Sequence, residues 1–130
     1  MKQAIQTDLA PQARGRYSQG IHWRDLLFVS GQLPIDPLTG EIVPGGIREQ
    51  TERALLNLQA VVVAGGSSLK QVLKTTLYIT AIADWDEVNA VYASFFGDDP
   101  PPARAVVPVK ELHFGALVEI EAITATASED

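Results

Sequence analysis

One arginine stands in an apolar, proline-bounded stretch of this 130-residue chain. The stretch reads Pro100-Pro-Pro-Ala-Arg-Ala-Val-Val-Pro-Val, and its charged residue is Arg104. A guanidinium keeps its proton in proteins, and its flat fork of donors matches a carboxylate in a bidentate manner. Two interpretations stay open. Arg104 either pairs with a carboxylate of its own protein or binds the carboxylate of a substrate.

Two carboxylates lie in the last predicted strand, at residues 117–125. Val118 and Ile120 belong to an apolar face, whereas Glu119 and Glu121 share the opposite face with large aliphatic side chains. Carboxylates among aliphatic side chains are typical of a partly buried surface that another subunit lines. The sequence therefore predicts a homo-oligomer.

The remaining candidates for chemistry are few. The chain has two histidines, His22 and His113, and no cysteine. Their spacing does not fit a zinc site, and the acidic residues show no calcium-loop pattern, so we expect no metal. Neither histidine has a nucleophile nearby in sequence, which disfavours a catalytic triad or a histidine-based ribonuclease pair.

Composition limits the class of protein. The formal net charge is −6 with ten Lys and Arg residues, which argues against nucleic acid as a partner. No apolar run approaches the roughly 20 residues of a membrane span, and the N-terminus lacks a signal-peptide core. We expect a soluble, cytoplasmic protein with one domain over residues 1–130.

The first third of the chain is predicted to form strands. Residues 2–6 suit an edge strand, and residues 21–23 and 26–29 flank Arg24-Asp25 as a hairpin. A polar segment, residues 15–20, carries Tyr17 between two glycines. Ser30-Gly31 ends the hairpin, and glycine there allows close approach of a ligand or another chain.

Two helices follow from changes in periodicity. Residues 46–64 place apolar side chains on one stripe, and Gly65-Gly66 ends that helix. A second helix is predicted to open at Asp84 with Glu87 completing a capping box. It joins strand 72–79 to a strand starting near Ala103, and these two strands should be parallel neighbours with a right-handed crossover.

The Arg104 strand is predicted to be covered on both faces. Arg104, Val106 and Pro108 should share one face, and the alternate apolar residues the other. About six strands and two helices on one face of a sheet make an α+β fold. Because helices cover one face, a second copy of the chain is expected on the other. Residues 126–130 are expected to fray.

Six short motifs cover nearly the whole chain. They are Gly15-Arg-Tyr-Ser-Gln, Val29-Ser-Gly-Gln-Leu-Pro, Lys74-Thr-Thr-Leu-Tyr-Ile, Val88-Asn-Ala-Val-Tyr, Pro102-Ala-Arg-Ala and Val118-Glu-Ile-Glu-Ala. In their residues and in their order along the chain they resemble the motifs of the Rid/YjgF family of reactive intermediate imine deaminases, once labelled endoribonucleases or translation inhibitors. The resemblance implies a chorismate-mutase-like α+β fold, with one mixed sheet of about six strands, in a homotrimer with clefts between subunits.

The resemblance also implies roles for individual residues. Arg104 matches the residue that grips the substrate carboxylate, Glu119 the acidic residue associated with the hydrolytic water, and Tyr17 the cleft tyrosine. The remaining positions that line or support the cleft are Ser30, Gly31, Asn89 and Val106. Structural alternatives stay open: a salt bridge or a strand-face carboxylate at an interface for Glu119, packing for Tyr17, and structural hydrogen bonds for Ser30 and Asn89.

Two residues depart from the family pattern. Arg16 replaces the usual proline before Tyr17, which adds a charge near the cleft mouth. Val106 replaces the usual cysteine, which removes any thiol role and any oxidation at that position. The mechanism that the resemblance implies uses water as the nucleophile, so deamination does not require the thiol.

The implied substrates are small 2-imino acids in equilibrium with their enamines, such as 2-aminoacrylate/2-iminopropanoate and 2-iminobutanoate. Hydrolysis gives a 2-keto acid and ammonia without a cofactor. Two alternative functions stay open: a module that binds a carboxylate metabolite without turnover, and the ribonuclease or translation inhibitor of the older family label.

Overall fold

The structure of the protein is a computed structural model that describes residues 1–126. It contains six strands and two α-helices, with short 3-10 turns between some of them. In chain order the elements are β1 (Gln3–Ile5), β2 (Gly20–Trp23), β3 (Leu26–Gln32), α1 (Ile47–Ala64), β4 (Val72–Ile79), α2 (Trp85–Phe96), β5 (Ala103–Pro108) and β6 (Val118–Ala125).

The strands form one mixed sheet in the order β1-β2-β3-β6-β4-β5. Strands β4 and β5 pair in parallel, as predicted for the strand–helix–strand unit, and the other neighbours are antiparallel. Both helices lie on the same face of the sheet, which we call the helix face. The predicted α+β fold is confirmed.

The core lies between the helix face and α1. The apolar stripe of α1 is buried as its periodicity predicted, with Leu58, Val61 and Val62 at 0% exposure. The helix ends at Gly65, where an added Cβ would lie 2.6 Å from a methyl group of Leu27. Glycine therefore allows the end of α1 to approach β3 closely.

The predicted capping box at the start of α2 is wrong. Asp84 belongs to a 3-10 turn, has helical backbone angles (φ −82°, ψ −4°) and makes no side-chain capping bond. A capping side chain needs an extended backbone at that position to reach back to the first helical N–H groups. Glu87 instead accepts a hydrogen bond from Arg48 of α1 at 3.1 Å.

One face of the Arg104 strand is covered within the single chain, and the cover of its other face by a second copy stays a prediction. Strand β5 is at the edge of the sheet, and Arg104 and Val106 pair with Thr75 and Leu77 of β4. This places them on the helix face, where Val106 packs against the core. The opposite side is exposed: Ala103, Ala105 and Val107. An apolar, proline-bounded run suits an edge strand as well as a buried one.

The other face of the sheet carries no helix, and we call it the open face. The buried and exposed faces of β6 alternate as predicted, so Glu119 and Glu121 lie on the open face. Phe28 of β3 pairs with Ile123 there and is 40% exposed. Neither helix of the described residues is long and apolar enough to cross a membrane.

The C-terminal end was predicted to fray. Thr126 is held by a hydrogen bond from its backbone N–H to the Asp25 carbonyl at 3.0 Å. The rest of the predicted frayed segment, residues 127–130, lies outside the described residues.

Candidate active site

A β-bulge interrupts β3 where it faces β6. Val29 pairs with Ala122 and Gln32 with Ile120, so Ser30 and Gly31 together oppose the one residue Glu121. Bulges of this kind bend a strand and redirect side chains, and they occur often beside active sites. The bulge places Ser30 and Gly31 beside the carboxylates of β6.

The Glu119 carboxylate lies against the backbone of Gly31. A Cβ added at Gly31 would overlap Glu119 Oε2 and lie 3.0 Å from its Cδ. Burial raises the pKa of the Glu119 carboxyl above its usual 4.5; the charge of His113 lowers it and the charge of Glu121 raises it further. Glu119 is thus a half-buried carboxyl that holds its proton more readily than a carboxyl in water.

Hydrogen bonds tie the segment that carries Tyr17 to the bulge. The Ser30 N–H donates to the Gln19 carbonyl at 3.0 Å, and the Ser30 hydroxyl donates to the Ser18 carbonyl at 2.6 Å. The buried Gln19 amide donates to the carbonyls of Thr7 at 3.0 Å and Pro11 at 2.8 Å. The first two sequence motifs are therefore one structural unit, in which the Ser30 hydroxyl has a structural bond.

These residues line a cleft of about 500 Å³ on the open face. Its lining residues are Arg14, Tyr17, Ser30, Gly31, Leu33, His113, Phe114, Glu119 and Glu121. Tyr17 is 52% exposed, and its hydroxyl accepts a hydrogen bond from the Arg14 N–H at 3.3 Å. One chain thus brings together four of the predicted site residues, Tyr17, Ser30, Gly31 and Glu119.

The other predicted residues form a second group around Arg104. Its Nη1 donates to Asn89 Oδ1 at 2.9 Å, and its Cζ lies 4.8 Å from the Tyr92 ring centroid and 5.6 Å from that of Trp85. Within residues 1–126 no carboxylate oxygen lies within 4.0 Å of the Arg104 guanidinium. Arg104 is therefore held in place by α2 and has no carboxylate partner in the described part of its own chain.

The Arg104 group and the cleft lie on opposite faces of the sheet. Arg104 pairs with Thr75 of β4, which is buried on the helix face and bonded to the Tyr92 hydroxyl at 2.7 Å. Glu119 pairs with Tyr78, whose hydroxyl donates to Glu121 Oε1 at 2.5 Å on the open face. Because side chains alternate along a strand, a site that contains both Arg104 and Glu119 needs two chains.

Five residues that line the cleft were not among the predicted site residues: Arg14, Leu33, His113, Phe114 and Glu121. The Arg14 Cζ lies 4.9 Å from the Phe114 ring centroid. Phe114 is 57% exposed and has left-handed backbone angles (φ 60°, ψ 22°), which are unusual for an aromatic residue. No sequence signal marks that conformation. Arg14 lies two residues before Arg16. The presence of two arginines just before Tyr17 was the sequence feature that could have pointed to Arg14 as a cleft residue.

The two histidines do not share the cleft. His113 lines it, whereas His22 lies in β2 with its Nε2 3.2 Å from Thr126 Oγ1. Across residues 1–126 there is no cluster of three or more His, Asp or Glu side chains that could hold a metal ion. The chemistry available in the cleft is that of carboxyl, phenol, imidazole and guanidinium groups.

Comparison with known proteins identifies the family. The family model described as Endoribonuclease L-PSP matches residues 7–126. The chain belongs to this family. A RutC family protein of Pyrococcus horikoshii, PH0854, is 47% identical over 123 residues, with 95% of this chain and 97% of the relative covered. The 2-iminobutanoate/2-iminopropanoate deaminase of Rattus norvegicus is 40% identical over 123 residues, covering 95% and 89%. The predicted Rid/YjgF membership is confirmed.

Solved structures of the Rid/YjgF family share the fold. The Thermotoga maritima protein TM0215 superposes with a TM-score of 0.94 at 48% identity, covering 98% of this chain and 100% of that one. Escherichia coli TdcF with bound serine superposes with a TM-score of 0.92 at 38% identity, covering 96% and 99%. The sheet and helices of this Rid/YjgF protein are therefore those of its family.

Proposed function

We propose that this protein is a hydrolytic deaminase of small 2-imino acids, including 2-iminopropanoate and 2-iminobutanoate. The observation that carries the proposal is the presence of two complementary groups. Arg104 is a fixed guanidinium without a carboxylate partner among the described residues, and Glu119 is a half-buried carboxyl in a cleft. The rat relative is named as a deaminase of these substrates, which supports the same reaction class.

In this mechanism Arg104 binds the substrate carboxylate through its guanidinium fork. Glu119 takes a proton from a water molecule as the water oxygen attacks C2 of the imine. Glu119 returns that proton to the imine nitrogen, which gives a carbinolamine with one hydroxyl and one amino group. The hydroxyl proton then passes through Glu119 to the nitrogen, the C=O bond forms as the C–N bond breaks, and ammonia leaves a 2-keto acid. The raised pKa of Glu119 suits a group that must both accept and return a proton. Such imines react with water unaided, so orientation of water, C=N and carboxylate supplies most of the catalysis.

Neighbouring residues position these groups. Asn89 orients the Arg104 guanidinium, and Tyr17 orients the substrate from the cleft wall. Gly31 makes room for the Glu119 carboxylate, and Ser30 fixes the backbone beside it. Val106 lies two residues after Arg104 on the same face of β5 and packs against the core, and in this proposal it borders the substrate on that side. The mechanism uses no cofactor.

We place the active site between two copies of the chain in a homotrimer. Arg104 and Glu119 lie on opposite faces of one sheet, so the Arg104 of one copy would serve the Glu119 of the next. The exposed side of β5 and the open face provide apolar surface for that contact, including Val107 and Phe28. The serine in the TdcF structure is a small amino acid with a carboxylate, which supports a ligand of this kind.

The test is a coupled assay in which an amino acid oxidase generates 2-iminobutanoate and semicarbazide traps the imine that remains. Wild-type protein should lower the amount of semicarbazone, and Arg104→Ala should lose about a hundredfold or more of kcat/KM, because truncating one partner of a charged contact costs several kcal/mol. Arg24→Ala is the matched control. Arg24 is exposed, its guanidinium lies over the Trp23 ring, and it is far from both Arg104 and Glu119 in the sequence.

Unchanged trapping by folded wild-type protein would contradict the proposal. Saturable binding of 2-oxobutanoate by that same protein, measured by calorimetry, would then favour a metabolite-binding module. An equal loss of kcat/KM in Arg24→Ala and Arg104→Ala would show that Arg104 has no specific role in the site.

A further inference from the structure

The cleft contains a second cation, Arg14, that the proposed mechanism does not use. Its Nη2 donates to the Gly40 carbonyl, and its Cζ lies 4.9 Å from the Phe114 ring centroid. Its backbone N–H donates to the Tyr17 hydroxyl at 3.3 Å. The guanidinium is therefore held at the cleft wall from several sides, beside a residue of the proposed site.

Unusual backbone conformations on both sides hold this guanidinium. Phe114 adopts left-handed angles (φ 60°, ψ 22°), which an aromatic residue rarely does without a compensating contact. Gly40 has φ 75°, and a Cβ there would lie 3.2 Å from Arg14 Nη2. The Arg14 side chain, although exposed, thus contacts one residue in an unfavourable backbone conformation, Phe114, and one position that requires glycine, Gly40.

The charge of Arg14 has no carboxylate partner in the described chain. Across residues 1–126 no carboxylate oxygen lies within 4.0 Å of it. The other titratable side chains of the cleft are Tyr17, His113, Glu119 and Glu121. A fixed guanidinium with free donors at the wall of a cleft is suited to a bidentate contact with a carboxylate.

We propose that Arg14 binds a second acidic group, on the substrate side chain, so that the cleft accepts dicarboxylic 2-imino acids such as 2-iminoglutarate. This inference rests on the proposed function, in which Arg104 holds the carboxylate next to the imine. Arg14 and Glu119 line the same cleft, so the second acidic group would lie in the cleft that holds the imine. Arg14 is then a specificity-determining residue.

The experiment compares binding of two stable keto acids, 2-oxoglutarate and 2-oxobutanoate, by calorimetry. In Arg14→Gln the preference for 2-oxoglutarate over 2-oxobutanoate should fall about tenfold or more, as expected for loss of a charge-assisted contact. Arg14→Lys keeps the charge but not the fork, and should restore only part of the preference. Arg24→Gln removes the same charge in the turn between β2 and β3, outside the lining of this cleft, and should leave the preference unchanged.

Turnover provides the second readout. With glutamate oxidase as the source of 2-iminoglutarate, the ratio of kcat/KM for 2-iminoglutarate to that for 2-iminobutanoate should fall in Arg14→Gln by the same factor as the binding preference.

Three results would overturn the inference. Arg14→Gln could weaken the binding of both keto acids equally, or Arg24→Gln could change the preference as much as Arg14→Gln does. Alternatively, Arg14→Gln could lower the melting temperature of the oligomer without altering the preference, which would make Arg14 an intersubunit contact. Failure of the proposed function is a separate result: wild-type protein would then bind 2-oxoglutarate selectively but hydrolyse neither imine.

Discussion

The Glu119 carboxylate occupies the space that a side chain at Gly31 would need. An added Cβ at position 31 would overlap the Glu119 Oε2 atom. The β-bulge at Ser30-Gly31 creates this proximity, and Glu119 reaches it from the neighbouring strand β6. The Glu119 carboxyl is thus positioned by the absence of a side chain on the adjacent strand.

Replacing Gly31 by Ala should therefore displace the Glu119 carboxylate. The carboxylate is the far end of a flexible side chain, so it can swing aside, and we expect a stability loss below about 1 kcal/mol. Activity should suffer much more, with kcat/KM falling roughly a hundredfold, because a misplaced base no longer reaches the water. Urea unfolding and the imine-trapping assay measure the two effects.

Gly46→Ala is the control for this change. A Cβ there would meet nothing within 4 Å, and Gly46 precedes α1, outside the residues that line the cleft. Equal activities of Gly31→Ala and wild type would show that Glu119 does not depend on the space at position 31.

The contact between Asn89 and Arg104 predicts the effect of a charge at position 89. Asn89→Asp keeps the side-chain shape but turns the 2.9 Å hydrogen bond into an ion pair with Arg104. The substrate carboxylate must then compete with Asp for the guanidinium, so KM should rise about tenfold or more while the oligomer stays folded. Asn89→Ala should raise KM less, because it removes a positioning bond without adding a competitor. A larger effect of Ala than of Asp on KM would contradict this role.

The pH dependence of activity follows from the raised pKa of Glu119. The carboxyl acts as a base only when ionised, and burial holds its pKa above the usual 4.5. As the pH falls, kcat/KM should decline through an inflection above that usual value. The measurement uses a substrate whose own ionisation is known. An inflection at or below the usual carboxyl pKa would show that the ionisation of Glu119 does not cause the fall in kcat/KM.

The same pKa shift predicts the stability of Glu119→Gln. The folded state binds the Glu119 proton more tightly than the unfolded state, so wild-type stability falls as the pH rises from the unfolded pKa through the folded pKa. Gln does not ionise, so the stability of the Glu119→Gln protein does not fall over this pH range for that reason. We expect Glu119→Gln to be more stable than wild type above the folded pKa, and the difference to vanish below the unfolded pKa. Thermal melts at neutral and acidic pH test the sign.

Much of the fold followed from local patterns. The period-two alternation of residues 118–122 predicted which face of β6 is buried, and the apolar stripe of α1 predicted its contact with the sheet. These patterns are readable because each records which side of one element is removed from water. The position of β5 at the sheet edge was not readable, since strand order depends on contacts between distant segments.

The site was predictable in its residue types and not in its arrangement. Gly31 was expected to allow close approach, but the approaching group, Glu119, is fixed by the β3–β6 register across almost 90 residues of chain. The separation of Arg104 from Glu119 by the sheet likewise depends on the pairing of both strands with β4. The left-handed conformation of Phe114 has no counterpart in the sequence pattern.

The most direct test of a site shared between subunits is complementation. Arg104→Ala and Glu119→Gln proteins, each inactive alone, are mixed in equal amounts, unfolded and refolded together, and assayed by imine trapping. In a cyclic oligomer with random assembly, a site that takes Arg104 from one copy and Glu119 from its neighbour is intact in roughly a quarter of cases. We predict recovery of roughly a quarter of the wild-type activity, and none when the two variants are refolded separately and then combined without exchange. No recovery in mixed oligomers whose assembly is verified by mass spectrometry would contradict the account.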